Sequence, residues 1–113
     1  MINALGGNDI ICALQGDDVI DGGNGVDTIF AGAGDDMING GALADRIRGG
    51  LGNDTINGGG GWDWLFGNGG NDTINGGVGQ DKIRGGLGVD RMNGGGAFDY
   101  CNGGRRTNCE SLF

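Results

Sequence analysis

An aspartate recurs every nine residues along this chain without one insertion: Asp9, Asp18, Asp27, Asp36, Asp45, Asp54, Asp63, Asp72, Asp81, Asp90 and Asp99. Two residues after each stands an apolar side chain: Ile11, Ile20, Ile29, Ile38, Ile47, Ile56, Leu65, Ile74, Ile83, Met92 and Cys101. Glycine dominates the residues before each aspartate, most completely in Gly49-Gly50-Leu51-Gly52-Asn53-Asp54-Thr55-Ile56-Asn57. A nine-residue unit cannot bury its own apolar side chain. Units held in strict phase must therefore stack on one another into a solenoid.

Composition alone points elsewhere. With 31 glycines, no proline and 36% hydrophobic residues among 113, the chain has the make-up of a flexible linker. A linker has no reason to place an aliphatic residue at one phase eleven times. Triplets such as Thr55-Ile56-Asn57 suit short strands, with the middle residue inward and its neighbours outward. The six residues Gly49 to Asp54 suit a turn, since glycine admits positive φ and Asn or Asp tolerates it. The expectation is an all-β fold of three-residue strands joined by six-residue turns.

Alternate units differ systematically. Before Asp18, Asp36, Asp54, Asp72 and Asp90 stand Asp17, Asp35, Asn53, Asn71 and Val89; before the others stand Asn8, Val26, Ala44, Trp62, Gln80 and Phe98. The true period is therefore 18 residues, two turns and two strands on opposite sides, giving about six coils. We read one domain over 1–113: imperfect repeats at 1–21, regular repeats at 22–102 and a degenerate cap at 103–113, with Asn108 in the aspartate phase. Residues 30–59 and 66–95 also match at most positions, as if a four-motif block had been duplicated.

Stacked coils lie about 4.8 Å apart, which places the aspartates in two columns. Like charges at that spacing repel by about 3 kcal/mol at an effective dielectric near 20. Up to nine such pairs exceed the roughly 5–15 kcal/mol by which domains are stable. A cation between turns reverses the sign. Calcium fits best, because it takes six to eight oxygens from carboxylates and backbone carbonyls together. Magnesium demands a stricter octahedron and keeps its water. Zinc finds no histidine and only scattered cysteines. The formal charge of −8 disfavours nucleic acid as a partner.

The phase and the full motif at Gly49–Asn57 resemble the repeats-in-toxin (RTX) family, the hemolysin-type calcium-binding repeats, over roughly residues 4–102. That resemblance implies a right-handed parallel β-roll, a β-solenoid with calcium ions between successive turns. The ligands it implies are the eleven motif aspartates and backbone carbonyls of the turns, for example those of Gly49, Leu51, Asn53, Gly67, Gly69 and Asn71. Several calcium ions, up to about nine, follow from the number of stacked pairs. The ending Asp99-Tyr100-Cys101-Asn102-Gly103-Gly104 through Asn108-Cys109-Glu110 also resembles secreted bacterial members that close on a cystine. Leu43 and Ala44 before Asp45, Asn68 within a glycine pair, and Ala97-Phe98 before Asp99 depart from the pattern. They make the column of Asp27, Asp45, Asp63, Asp81 and Asp99 the weaker one, and the Asp18 to Asp90 column the stronger.

Two outward columns alternate in character: Thr28, Arg46, Trp64, Lys82, Tyr100 and Phe30, Arg48, Phe66, Arg84. Each cation then sits beside an aromatic, and Arg48 and Lys82 between two, a cation–π ladder worth about 0.5–1 kcal/mol per contact. The plain reading is a ladder that avoids stacked like charges. The sharper one is a partner face of Phe30, Arg46, Arg48, Trp64, Phe66, Lys82 and Arg84 for a glycan, a cell-surface polymer or another anionic polymer. A Thr55–Thr73 pair beside Asn39, Asn57, Asn75 and Asn93 raises ice binding as a lesser alternative.

Matches to G-x-G-x-x-G are by-products of the repeat, since none opens a helix. Histidine is absent and almost every carboxylate is committed to metal, which leaves no acid/base pair and predicts no catalysis. Cys101 and Cys109 are close enough in sequence for a local disulfide, which indicates an oxidising compartment; Cys12 stands apart. No apolar run is long enough to span a membrane. The sequence thus reads as a secreted, extracellular monomer that folds on binding calcium, or as the calcium-dependent repeat domain of a larger secreted enzyme or toxin.

Overall fold

The computed structural model describes residues 1–97, 99–103 and 105–107. One sheet stacks β1 (Ile2–Asn3), β3 (Val19–Asp21), β5 (Met37–Ala42), β7 (Thr55–Gly60), β9 (Thr73–Val78), β11 (Arg91–Gly96) and β13 (Arg105–Thr107). The other stacks β2 (Ile10–Cys12), β4 (Thr28–Ala33), β6 (Arg46–Leu51), β8 (Trp64–Gly69), β10 (Lys82–Leu87) and β12 (Tyr100–Asn102). All pairings are parallel, and successive strands of the chain alternate between the sheets. The chain is a parallel β-solenoid with 18 residues per coil, as Ile56↔Ile74 and Ile47↔Leu65 illustrate.

The core is a single file. All eleven residues in the apolar phase are buried, from Ile11 at 8% exposure to Cys101 at 2%. Outward neighbours such as Thr55 and Asn57 are exposed, which is the period-two pattern of a strand.

Two features differ from the sequence expectation. Regular strands run six residues rather than three, because the glycine pair joins the ladder: Gly59 pairs with Gly77 and Gly60 with Val78. The end of the chain also leaves the phase. Arg105–Thr107 pairs with Arg91–Asn93, fourteen residues back instead of eighteen, so the twelfth unit arrives early. Phe98, Asn108, Cys109 and Glu110 lie outside the described residues.

The eleven turns before the motif aspartates share one backbone. The residues four and two before each aspartate are left-handed, as at Gly50 (φ 109°) and Gly52 (φ 117°). Glycine is required at Gly52 twice over, because a Cβ there would strike the carbonyl of Gly34 in the coil before. Five turn positions take this conformation without glycine: Leu5, Leu14, Leu43, Asn68 and Ala97, with φ between 73° and 103°.

Candidate metal centre

Each motif aspartate sits where turn becomes strand, its backbone in the ladder and its carboxylate directed into the turn. Oδ1 accepts the backbone N–H of the aspartate one coil earlier. Asp9, Asp27, Asp45, Asp63 and Asp81 donate in this way to Asp27, Asp45, Asp63, Asp81 and Asp99 at 2.8–2.9 Å. Asp18, Asp36, Asp54 and Asp72 donate likewise to Asp36, Asp54, Asp72 and Asp90 at 2.8–2.9 Å. The structure therefore brings the predicted aspartates together as two unbroken columns.

The second oxygen is left over. Oδ2 of all eleven aspartates is buried without a hydrogen-bond partner, and from Asp27 to Asp99 these residues are at most 3% exposed. A buried carboxylate oxygen with nothing to accept from is strongly unfavourable on its own. Burial accordingly pushes the carboxyls up: Asp45 and Asp72 to about 6, Asp54 and Asp63 to about 7. The amide of the preceding aspartate works in the opposite direction, and neighbouring carboxylates add to the rise.

What surrounds Oδ2 is an oxygen cradle. A Cβ added to Gly22 would lie 2.7 Å from Asp27 Oδ2 and 2.6 Å from the carbonyl oxygen of Gly40, one coil on. The same pair meets at Gly58, where Asp63 Oδ2 and the Gly76 carbonyl stand at 2.5 and 2.7 Å. Gly40, Gly67 and Gly76 repeat the arrangement. At these five turns the glycine five residues before the aspartate therefore keeps open a space lined by a carboxylate and a carbonyl. Ala4, Ala13 and Ala31 put a methyl group there in the turns of Asp9, Asp18 and Asp36, and Ala31 is fully buried. This obstruction was present in the sequence, but only the fold shows what it blocks.

The carbonyls expected from sequence divide by role. Gly49 and Gly67 occupy the cradle position. Those of Leu51 and Gly69 already accept N–H groups from Gly34 and Gly52 at 2.9 and 3.1 Å, so each has one lone pair committed. Asn53 and Asn71 act through their side chains: Asn53 Oδ1 accepts Asn71 N–H at 2.8 Å and Asn71 Oδ1 accepts Val89 N–H at 2.9 Å. Asp17 and Asp35 do the same for Asp35 and Asn53 at 2.8 Å. This outer ladder explains the alternation read from sequence, where its function went unrecognised. On the other side, among the described residues, Asn8 alone makes such a bond, accepting Val26 N–H. The left-handed turn backbone, by contrast, is common to both columns and does not rank them.

Among the described residues no three His, Cys, Asp or Glu side chains converge on one point. An ion held here needs backbone oxygens beside carboxylate. Calcium accepts that mixed oxygen set, whereas structural zinc sites are closed by four nitrogen or sulfur ligands. The residues present fit calcium.

Outside this centre, the aromatic–basic columns bring Trp64 between Arg46 and Lys82, and Arg48 between Phe30 and Phe66. Arg46 lies 5.0 Å from the Trp64 ring and Lys82 also 5.0 Å, while Arg48 lies 5.7 Å from Phe30 and 5.8 Å from Phe66. Arg84 is exposed next to Phe66 in the ladder. Cys12 is an exposed free thiol, and Cys101 is buried in the core file. The Cys101–Cys109 pairing involves a residue outside those described.

Two columns of buried, half-satisfied carboxylates on a parallel β-solenoid define a calcium-binding repeat protein. Residues 3–38, 39–74 and 66–101 match the family described as the RTX calcium-binding nonapeptide repeat, and the chain belongs to it. It is a calcium-binding structural repeat module. Comparison with the curated proteins and with the solved structures gave no match.

Proposed function

We propose that this chain is an extracellular module that calcium folds. The observation that carries the reading is the row of eleven buried Oδ2 atoms without partners. Each would bind calcium together with the glycine carbonyl facing it, and the ion would cancel the repulsion along the column. One ion per stacked pair sets the upper count at about nine. Without calcium, desolvated like charges oppose the stack, so the chain is unfolded where calcium is scarce and passes an export channel easily. Outside the cell the ions complete it. A Cys101–Cys109 disulfide suits that oxidising destination. The module works as a monomeric, non-catalytic single domain over residues 1–113, or serves as the calcium-dependent repeat domain of a larger secreted enzyme or toxin.

Far-ultraviolet circular dichroism tests this directly. Calcium should produce a β signal that a chelator abolishes, and calorimetry should then count the ions. A β signal at neutral pH that ignores the chelator overturns the reading.

A further inference from the structure

The outward face of the sheet that runs from β2 to β12 is unlike the rest of the molecule. Four of the chain's seven cationic residues, Arg46, Arg48, Lys82 and Arg84, stand on it. None of its outward strand positions holds Asp or Glu, although the chain carries a net charge of −8. None of the four cations is ion-paired with a described residue. Like-charge avoidance does not by itself demand this composition. The opposite sheet stacks Thr55 on Thr73 and Asn57 on Asn75 in the equivalent positions with no aromatic ring.

The face is also shaped. One hollow of about 190 Å³ extends from Thr28 and Phe30 to Trp64 and Phe66. A second, of about 160 Å³, continues from Trp64 and Phe66 to Lys82, Arg84 and Tyr100. Together they form one trough along the solenoid axis, crossing five strands and so about 19 Å long. Its walls are two residues apart on each strand, about 7 Å. Rows across the trough alternate: Phe30, then Arg46 with Arg48, then Trp64 with Phe66, then Lys82 with Arg84, then Tyr100. The repeat is two coils, about 10 Å.

We propose that this trough binds a single acidic polysaccharide chain in which carboxylate-bearing sugars alternate with neutral ones. The neutral sugar lays its apolar C–H face on the Trp64–Phe66 row, and the acidic sugars on either side reach the two cationic rows. Arginine pairs with a carboxylate through two parallel N–H donors, which favours carboxylates over a diffuse polyanion. A single-stranded nucleic acid, with a charge at every unit, is opposed by the chain's net charge of −8. The proposal rests on the calcium-built roll above, because the trough exists only when the coils are stacked.

The test titrates hyaluronan oligosaccharides, where glucuronate alternates with a neutral amino sugar, onto the calcium-loaded protein. Calorimetry and tryptophan fluorescence follow binding, and circular dichroism monitors the roll in parallel. Binding should weaken as salt rises and fall by about tenfold or more for Trp64→Ala and for Arg48→Gln with Arg84→Gln, with the calcium-induced dichroism unchanged. Carboxyl-reduced oligosaccharide should show a similar loss. The proposal fails if the folded wild type does not bind, if the reduced oligosaccharide or a single-stranded oligonucleotide binds equally well, or if the folded variants bind like wild type. Dichroism indifferent to calcium would sink the calcium reading instead, and the same titration without calcium would still judge the trough.

Discussion

Ala31 and Gly58 hold the same place in their turns, five residues before Asp36 and Asp63, and differ by one methyl group. At Gly58 that methyl would stand 2.5 Å from Asp63 Oδ2 and 2.7 Å from the Gly76 carbonyl oxygen, too close for either to stay. Gly58→Ala should therefore remove one calcium from the stoichiometry and cost the loaded roll about 1–3 kcal/mol, as overpacking does. Ala31→Gly should do the reverse at Asp36, adding an ion or lowering the calcium needed for folding. Equal calcium counts for the two variants and wild type would refute the cradle. Leu43 poses a different residue problem: at φ 74° it pays for a left-handed backbone with no local compensation. Leu43→Gly relieves about 1–2 kcal/mol of strain and returns part as unfolded-chain entropy. The net gain should be about 0.5–1 kcal/mol in calcium-loaded thermal unfolding. Asn68→Gly should gain less, since Asn accepts this conformation more readily.

At the scale of strands and turns, the nine-residue phase made the aspartate columns and the core file legible, because both are side-chain patterns. Strand length was not legible. The glycine pairs of β7 and β9 join the ladder without side chains, so no alternation marks them as strand. The early arrival of β13 was hidden for the same reason, since Gly103 and Gly104 keep the look of a twelfth turn while the pairing slips. The outer ladder was visible as an alternation, yet its meaning needs the stack: an oxygen on Asn53 matters only because Asn71 N–H comes to rest above it at 2.8 Å. Asn53→Ala should thus cost about 0.5–1.5 kcal/mol. Trp62→Ala, at the same motif position on the other side and 66% exposed, should stay within about 0.5 kcal/mol of wild type. Thermal denaturation at fixed free calcium separates the two, and similar losses for both would show that the ladder has no stabilising part.

For the molecule as a whole, the aligned carboxylates invert the usual response to acid. Asp45 and Asp72 titrate at about 6 in the roll, and Asp54 and Asp63 at about 7, against 3.8 in an ordinary setting. Between these values the folded state holds more protons than the unfolded one, so the free energy of unfolding falls as pH rises. Without calcium, the protonated roll keeps its full stability below about pH 4 and loses it progressively up to about pH 7. Most domains, with depressed carboxyls, behave the other way. Calcium needs the ionised form, so where the calcium-free roll persists, toward pH 5, it competes with these protons: its binding there should release protons and weaken steadily as pH falls. Two measurements decide the matter. In chelator, the β signal should be absent at pH 8 and grow on acidification toward pH 4. In calcium titrations at pH 5, where the calcium-free roll is protonated, the apparent heat should change with the ionisation enthalpy of the buffer. A chelated chain that loses order on acidification would contradict this account. So would calcium heats at pH 5 that are independent of buffer, because both would mean that the columns of the calcium-free roll are ionised before the ion arrives.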